Sequence, residues 1–255
     1  MNVSKGLRYS VLTATSVLVM SLYSCSSSVA VADDDNDKAA MAAQLEKAES
    51  MQSGDEWQKS FDPASCNLVT TGRNDYFVLE PGHKLILEGD NTKVEIKVLE
   101  ETKMVAGVET RVVKESEWKK GKLYEVAMNY FAICEDTKDV YYFGEDVSFY
   151  KNGKVVNHDG AWVAGDGENK AGLFMPGKVA TNLKYYQEVA PGQAMDRAEI
   201  ISFDGVCETP AGTFENCLKV KEGTPLDESV LEYKYYAPGI GLIIDDDILL
   251  TSYES

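Results

Sequence analysis

The chain has 255 residues, of which 44% are hydrophobic, enough for one sizeable core. It carries 25 Lys and Arg against 42 Asp and Glu, a formal net charge of −17. That balance argues against nucleic-acid partners and against a polybasic membrane-binding face.

Residues 1–32 read as a leader. Lys5 and Arg8 form a positive start, and Val11 to Leu22 is an apolar run too short to span a bilayer comfortably. Two exits follow. Leu22-Tyr23-Ser24-Cys25 resembles a bacterial lipobox, which makes Cys25 the expected lipidation site, although Tyr23 departs from the usual small or aliphatic residue. Ala30-Val31-Ala32 instead fits ordinary cleavage before Asp33. Ser26, and no Asp, follows Cys25, so lipidation would anchor the protein in a bacterial outer membrane; cleavage after Ala32 would leave it periplasmic or secreted. The leader holds two basic residues and no acid, so the remainder carries −17 − 2 = −19.

Residues 33–60 are expected to form an acidic linker and a short helix. Asp33-Asp34-Asp35-Asn36-Asp37 is a solvated run, and Met41, Leu45 and Ala48 share one helical face within residues 38–53. Residues 61–255 then read as a single β-rich domain. Val94, Ile96 and Val98 alternate with Lys93, Glu95 and Lys97, the period of a half-buried strand. Residues 123–134 are nearly all apolar, as in a strand buried on both faces. Asn152-Gly153 between Phe149-Tyr150 and Val155-Val156 predicts a tight hairpin. Residues 157–177 interrupt this rhythm with Gly, Asp and Asn, yet carry Trp162 and Phe174. A long loop with such side chains is either a binding loop or a cap folded back on the core.

The densest local pattern lies at residues 206–241. Pro210-Ala211-Gly212 marks a turn, followed by alternating Phe214, Leu218 and Val220. A hairpin centred on Gly212 would place Cys207 opposite Cys217. Opposed Cα atoms lie about 4.5 to 5.5 Å apart, within the reach of a disulfide. Setting Cys25 aside leaves an even number of cysteines, so Cys66 and Cys134 are the second expected pair. Leu231, Tyr233 and Tyr235 share one face of the next strand, with Glu232 and Lys234 on the other, and Pro238-Gly239 and Gly241 end it.

The run PAGTF, CLKV and YYAPGIG resembles motifs of secreted bacterial β-rich proteins and lipoproteins of unassigned function. More loosely, these last 50 or so residues resemble the C-terminal strands of the lipoprotein-carrier (LolA/LolB-like) superfamily. Tyr76 to Gly82 resembles an opening motif of the same secreted proteins. These motifs are turns and strand starts, so the resemblance implies a fold and transfers no functional residue.

Chemical motifs are sparse. The chain has two histidines, His83 and His158. The acidic loop at 157–170 matches no calcium-loop pattern, and no metal or other cofactor is expected. Ser116-x-x-Lys119 and Ser148-x-x-Lys151 fall in predicted strands, where Lys does not reach Ser as it does on a helix turn. No nucleophile, base and orienting group form a recognisable set, so no catalytic residue is assigned. The expected fold is all-β: a curved antiparallel sheet or half-barrel with one short N-terminal helix, counted at ten to twelve strands. The expected function is an envelope binding or carrier protein for an apolar ligand such as a lipid or a lipoprotein. Trp162, Phe174, Tyr233 and Tyr235 are the candidate contacts. A structural or interaction lipoprotein without small ligand is the alternative, and a hydrolase the third reading.

Overall fold

The chain turns back on itself at short intervals because its turn residues accept a left-handed backbone. Asp90-Asn91, Ala106-Gly107, Lys120-Gly121 and Asn152-Gly153 all hold positive φ at both positions, the geometry that two-residue hairpins demand. The computed structural model describes residues 56–255. Among these are a 3-10 turn at Pro63–Ser65 and sixteen strands. In order they are β1 (Leu68–Val69), β2 (Lys84–Gly89), β3 (Thr92–Val105), β4 (Val108–Lys119), β5 (Lys122–Cys134) and β6 (Val140–Lys151). Next come β7 (Lys154–Asn157), β8 (Trp162–Val163), β9 (Lys170–Met175), β10 (Lys184–Tyr186) and β11 (Glu188–Val189). The last five are β12 (Arg197–Thr209), β13 (Gly212–Thr224), β14 (Asp227–Ala237), β15 (Gly241–Asp245) and β16 (Ile248–Glu254).

The sheet is antiparallel and runs β10-β12-β13-β14-β15-β16-β2-β3-β4-β5-β6-β9-β11, with β1 on β5 and β7 and β8 on β6. Its two end strands are consecutive in the chain and separated only by Gln187. β10 pairs with β12 on one edge, and β11 pairs with β9 on the other. One short segment thus closes the sheet into a nearly complete barrel with a single seam. The all-β expectation holds, with more strands and fuller closure than a half-barrel. The expected lipidation at Cys25, cleavage after Ala32 and the helix at 38–53 lie outside the described residues.

Most of the core lies in one cluster that includes Phe131, Tyr142, Trp162, Tyr185, Leu218 and Tyr236. A smaller cluster joins Leu85, Leu87 and Val94 to Cys207, Cys217, Ile243 and Leu250. The two halves of β5 differ, where the sequence suggested burial on both faces throughout. Its start is partly exposed, and from Asn129 to Cys134 every residue is buried.

Three expectations are corrected. Residues 157–177 are not a continuous loop, because β8 and β9 both add to β6. β8 fits there because Gly144 has φ 126° and no side chain; a Cβ would collide with the Trp162 carbonyl and Val163. Cys207 and Cys217 are both buried free thiols. Irregularities between Ile200 and Cys207 shift the register, so Cys207 faces Phe214 and Cys217 faces Gly205. Tyr233, expected to face a ligand, is instead 37% exposed. The other predicted disulfide, Cys66–Cys134, is formed, with Cα atoms 5.5 Å apart. It fastens the segment before β1 to the buried end of β5.

Candidate functional site: a barrel cavity lined by apolar and acidic residues

The barrel encloses a cavity of about 320 Å³. Strand alternation decides what faces it. β2 contributes Leu85 and Leu87, and β3 contributes Val94, Ile96 and Val98. These are the period-two residues whose neighbours Lys93, Glu95 and Lys97 point the other way. Phe77, Phe131 and Phe174 extend the apolar part of the lining. Phe131 stacks on Tyr142 at 4.6 Å between centroids, and Phe174 meets Phe131 edge-on at 4.9 Å. Such packing fixes the rings and leaves little freedom to lose on binding.

Acidic side chains share the lining, with Glu115 directly cross-strand from Ile96. Glu115 (β4), Glu145 (β6), Glu188 (β11), Asp196, Glu222 (β13) and Asp245 (β15) all line the cavity, against one cation, Lys234 (β14). Lys234 Nζ donates to Glu222 at 2.9 Å. Glu222 also accepts from Gln187 Nε2 at 2.9 Å and lies 3.5 Å from the Tyr236 hydroxyl. Among the described residues, the interior ion pairing ends there.

The remaining acids are shifted accordingly. Burial, with repulsion from Asp245, Glu125 and Glu117, pushes Glu115 up to about 7, although Lys234 pulls the other way. Burial and the charge of Glu115 push Glu145 up to about 8. Burial raises Glu188 well above the ordinary range, with Asp196 and Glu145 adding to it. Burial likewise raises Asp196 and Asp245. Lys234 stays firmly protonated: its acidic neighbours, Asp245 foremost, outweigh the burial that opposes its charge.

The seam segment positions much of this lining. Gln187 and Glu188 both donate their backbone N–H to the Asp196 carbonyl, at 2.8 and 3.1 Å. Behind them lies Trp162, 3% exposed and edge-on to Tyr142 at 5.4 Å. Its indole N–H lies beside the Glu188 carboxylate and favours the charged form, yet makes no hydrogen bond of acceptable geometry. His83, also buried, lines the cavity from the other side. Its Nε2 is 2.9 Å from the Ile240 carbonyl, and its Nδ1 has no hydrogen-bond partner.

Of the four predicted contacts, Phe174 lines the cavity and Trp162 forms core behind it. Tyr233 and Tyr235 do not line it. On β14 the order of faces is the reverse of the expected one: Lys234 and Tyr236 point inward. Leu231 and Tyr233 are 52% and 37% exposed, with Lys219 held 4.5 Å over the Tyr233 ring. Charge on alternate residues ordinarily marks the face in water, and here it marks the interior. Likewise Asp245 belongs to the lining, and Asp246 to the turn, where it accepts from the Tyr233 N–H at 3.0 Å.

Outside the cavity, Ser148 Oγ lies 3.4 Å from His158 Nδ1. That nitrogen is only 2.6 Å from the Val147 carbonyl, which can only accept. Nδ1 therefore carries the proton and has no lone pair to take one from Ser148. Among the described residues no three metal-ligating side chains converge. In comparisons with protein-family models, curated proteins and solved structures, nothing matches the chain.

Proposed function

We propose that this chain is an exported binding or carrier protein of the cell envelope that holds a small, largely apolar ligand inside its barrel. The observation that carries this reading is the cavity itself, at the lower end of the usual range for ligand sites. A barrel built only as a scaffold would fill its interior with side chains. The Cys66–Cys134 disulfide accords with an oxidising compartment.

The test is binding of naphthalene, an uncharged apolar fluorophore of about ten heavy atoms that matches the cavity of about 320 Å³. Emission should rise on mixing, and Val113→Phe, which enlarges a cavity-lining residue paired with Asn129, should abolish the rise while the protein stays folded at the assay temperature. Equal emission with the variant and the parent would sink the reading. The alternative, an interaction protein without small ligand, draws on the exposed Val206, Leu226 and Leu231. It predicts no rise in either protein.

A further inference from the structure

One patch of the cavity lining is built from rings. Phe77, Phe131, Tyr142 and Phe174 all line the cavity. Besides the Phe131 contacts already given, ring centroids lie 5.2 Å apart for Phe77 and Phe131, 5.3 Å for Phe77 and Phe174, and 5.9 Å for Tyr142 and Phe174. The four rings therefore converge. Aromatic rings carry a negative face and a positive edge, which a flat aromatic partner can match and a saturated one cannot.

A second, independent observation concerns Asn129. It stands two residues before Phe131 on β5 and so shares its face. It lines the cavity and is 8% exposed. Its Oδ1 accepts from the Tyr142 hydroxyl at 2.6 Å, and its Nδ2 donates to the Val113 carbonyl at 3.1 Å. A backbone carbonyl can only accept, so the amide has one orientation. An amide nitrogen carries two hydrogens. Val113 takes one, and among the described residues no acceptor takes the other. A buried donor left unmade is costly, and a bound acceptor would remove that cost.

We propose that the cavity takes a neutral bicyclic aromatic molecule bearing one hydrogen-bond acceptor, its rings against Phe77, Phe131 and Phe174 and its acceptor on the second Nδ2 hydrogen of Asn129. This rests on the carrier reading and adds the chemical class of the ligand. The donor is uncharged and suits an uncharged acceptor, such as an aryl ketone oxygen. A carboxylate or phosphate would instead meet Glu115 and Glu145 in the same lining. The cavity of about 320 Å³ accommodates roughly ten heavy atoms at about 30 Å³ each, the size of two fused rings with one oxygen.

Titration calorimetry of the full chain with indanone, indane and hydrindanone tests this. Indane keeps the aromatic ring and lacks the ketone, whereas hydrindanone keeps the ketone on the same carbon skeleton and lacks the aromatic ring. Indanone should bind about threefold to tenfold more tightly than indane, the usual yield of one neutral hydrogen bond, and should also bind more tightly than hydrindanone. In Asn129→Leu, indane should still bind, which reports that the variant folds, and indanone should lose its advantage over indane. In the parent, which needs no variant to fold, the infrared carbonyl stretch of bound indanone should fall below its value in hexane. Indanone no tighter than indane, or a stretch at the hexane value, would overturn the Asn129 contact and the proposal with it. Hydrindanone as tight as indanone would overturn the aromatic assignment, and an advantage over indane that survives in Asn129→Leu would overturn the role of that residue. If naphthalene binds and none of these three does, the ligand class fails and the carrier reading stands. If naphthalene fails as well, both fall.

Discussion

Glu115 carries the chemistry of the interior in one residue. Its folded pKa, about 7, lies above its ordinary value of 4.5, as do those of Glu125, about 7, and Glu145, about 8. Across that window the folded protein holds protons that the unfolded chain has released, so stability falls as pH rises. Glu80 and Glu254, held low by Arg73 and Lys84, act in the opposite sense and lose stability only as pH falls below about 4. The ligand-free protein should therefore melt higher at pH 5 than at pH 8. Glu115→Gln should raise the melting temperature at pH 8 and change it little at pH 5, as calorimetry at the two values would show. A gain of equal size at both would mean that Glu115 is not protonated in the fold. The inward turn of Glu115 was not legible, because Lys114-Glu115-Ser116-Glu117 is polar at every position and so marks neither face as interior. Lys234 was visible as one face of a strand but assigned to the wrong side, since the usual rule sends charge to water.

At the scale of elements, β6 shows how one strand serves several partners. It pairs with β5 along one edge and in turn with β9, β8 and β7 along the other. Only the β6–β7 hairpin was legible, from Asn152-Gly153. β8 and β9 were hidden because their Gly and Asp neighbours resemble a loop, and because the close approach at Gly144 is a tertiary fact. Trp162 nonetheless had to be covered by something, and the cover is the core. Trp162→Ala should cost about 3 to 5 kcal/mol, lowering the melting temperature by on the order of ten degrees. A variant that melts like the parent would contradict this packing. The Cys66–Cys134 link closes a sequence separation of 68. In the chain-entropy model its loss should cost about 4 kcal/mol. Cys66→Ser/Cys134→Ser should show that loss in urea titration, and an unchanged midpoint would mean the fold does not depend on the link. That pair was legible only by parity, whereas the misplaced Cys207–Cys217 pair had an argument from register. Bulges in β12 leave no trace that a period of two can detect.

For the whole molecule, all-β architecture and the apolar part of the lining were open to reading, because hairpin turns and the Val94-Ile96-Val98 alternation are local. Closure was not. It depends on residues 184–189 pairing with β12 at one end and β9 at the other, which brings distant parts of the chain to one seam. The same seam brings Gln187 to Glu222, joining residues far apart in the chain inside the lumen. Such a lumen should be occupied when the protein leaves its cell. Native mass spectrometry of the protein purified from its own envelope, followed by solvent extraction, tests that claim most directly. The account predicts a population heavier than the chain by one small, largely apolar molecule, which extraction removes and which rebinds with the intact fold. A single species at the mass of the chain alone, unchanged by extraction and by added envelope lipid, would contradict it.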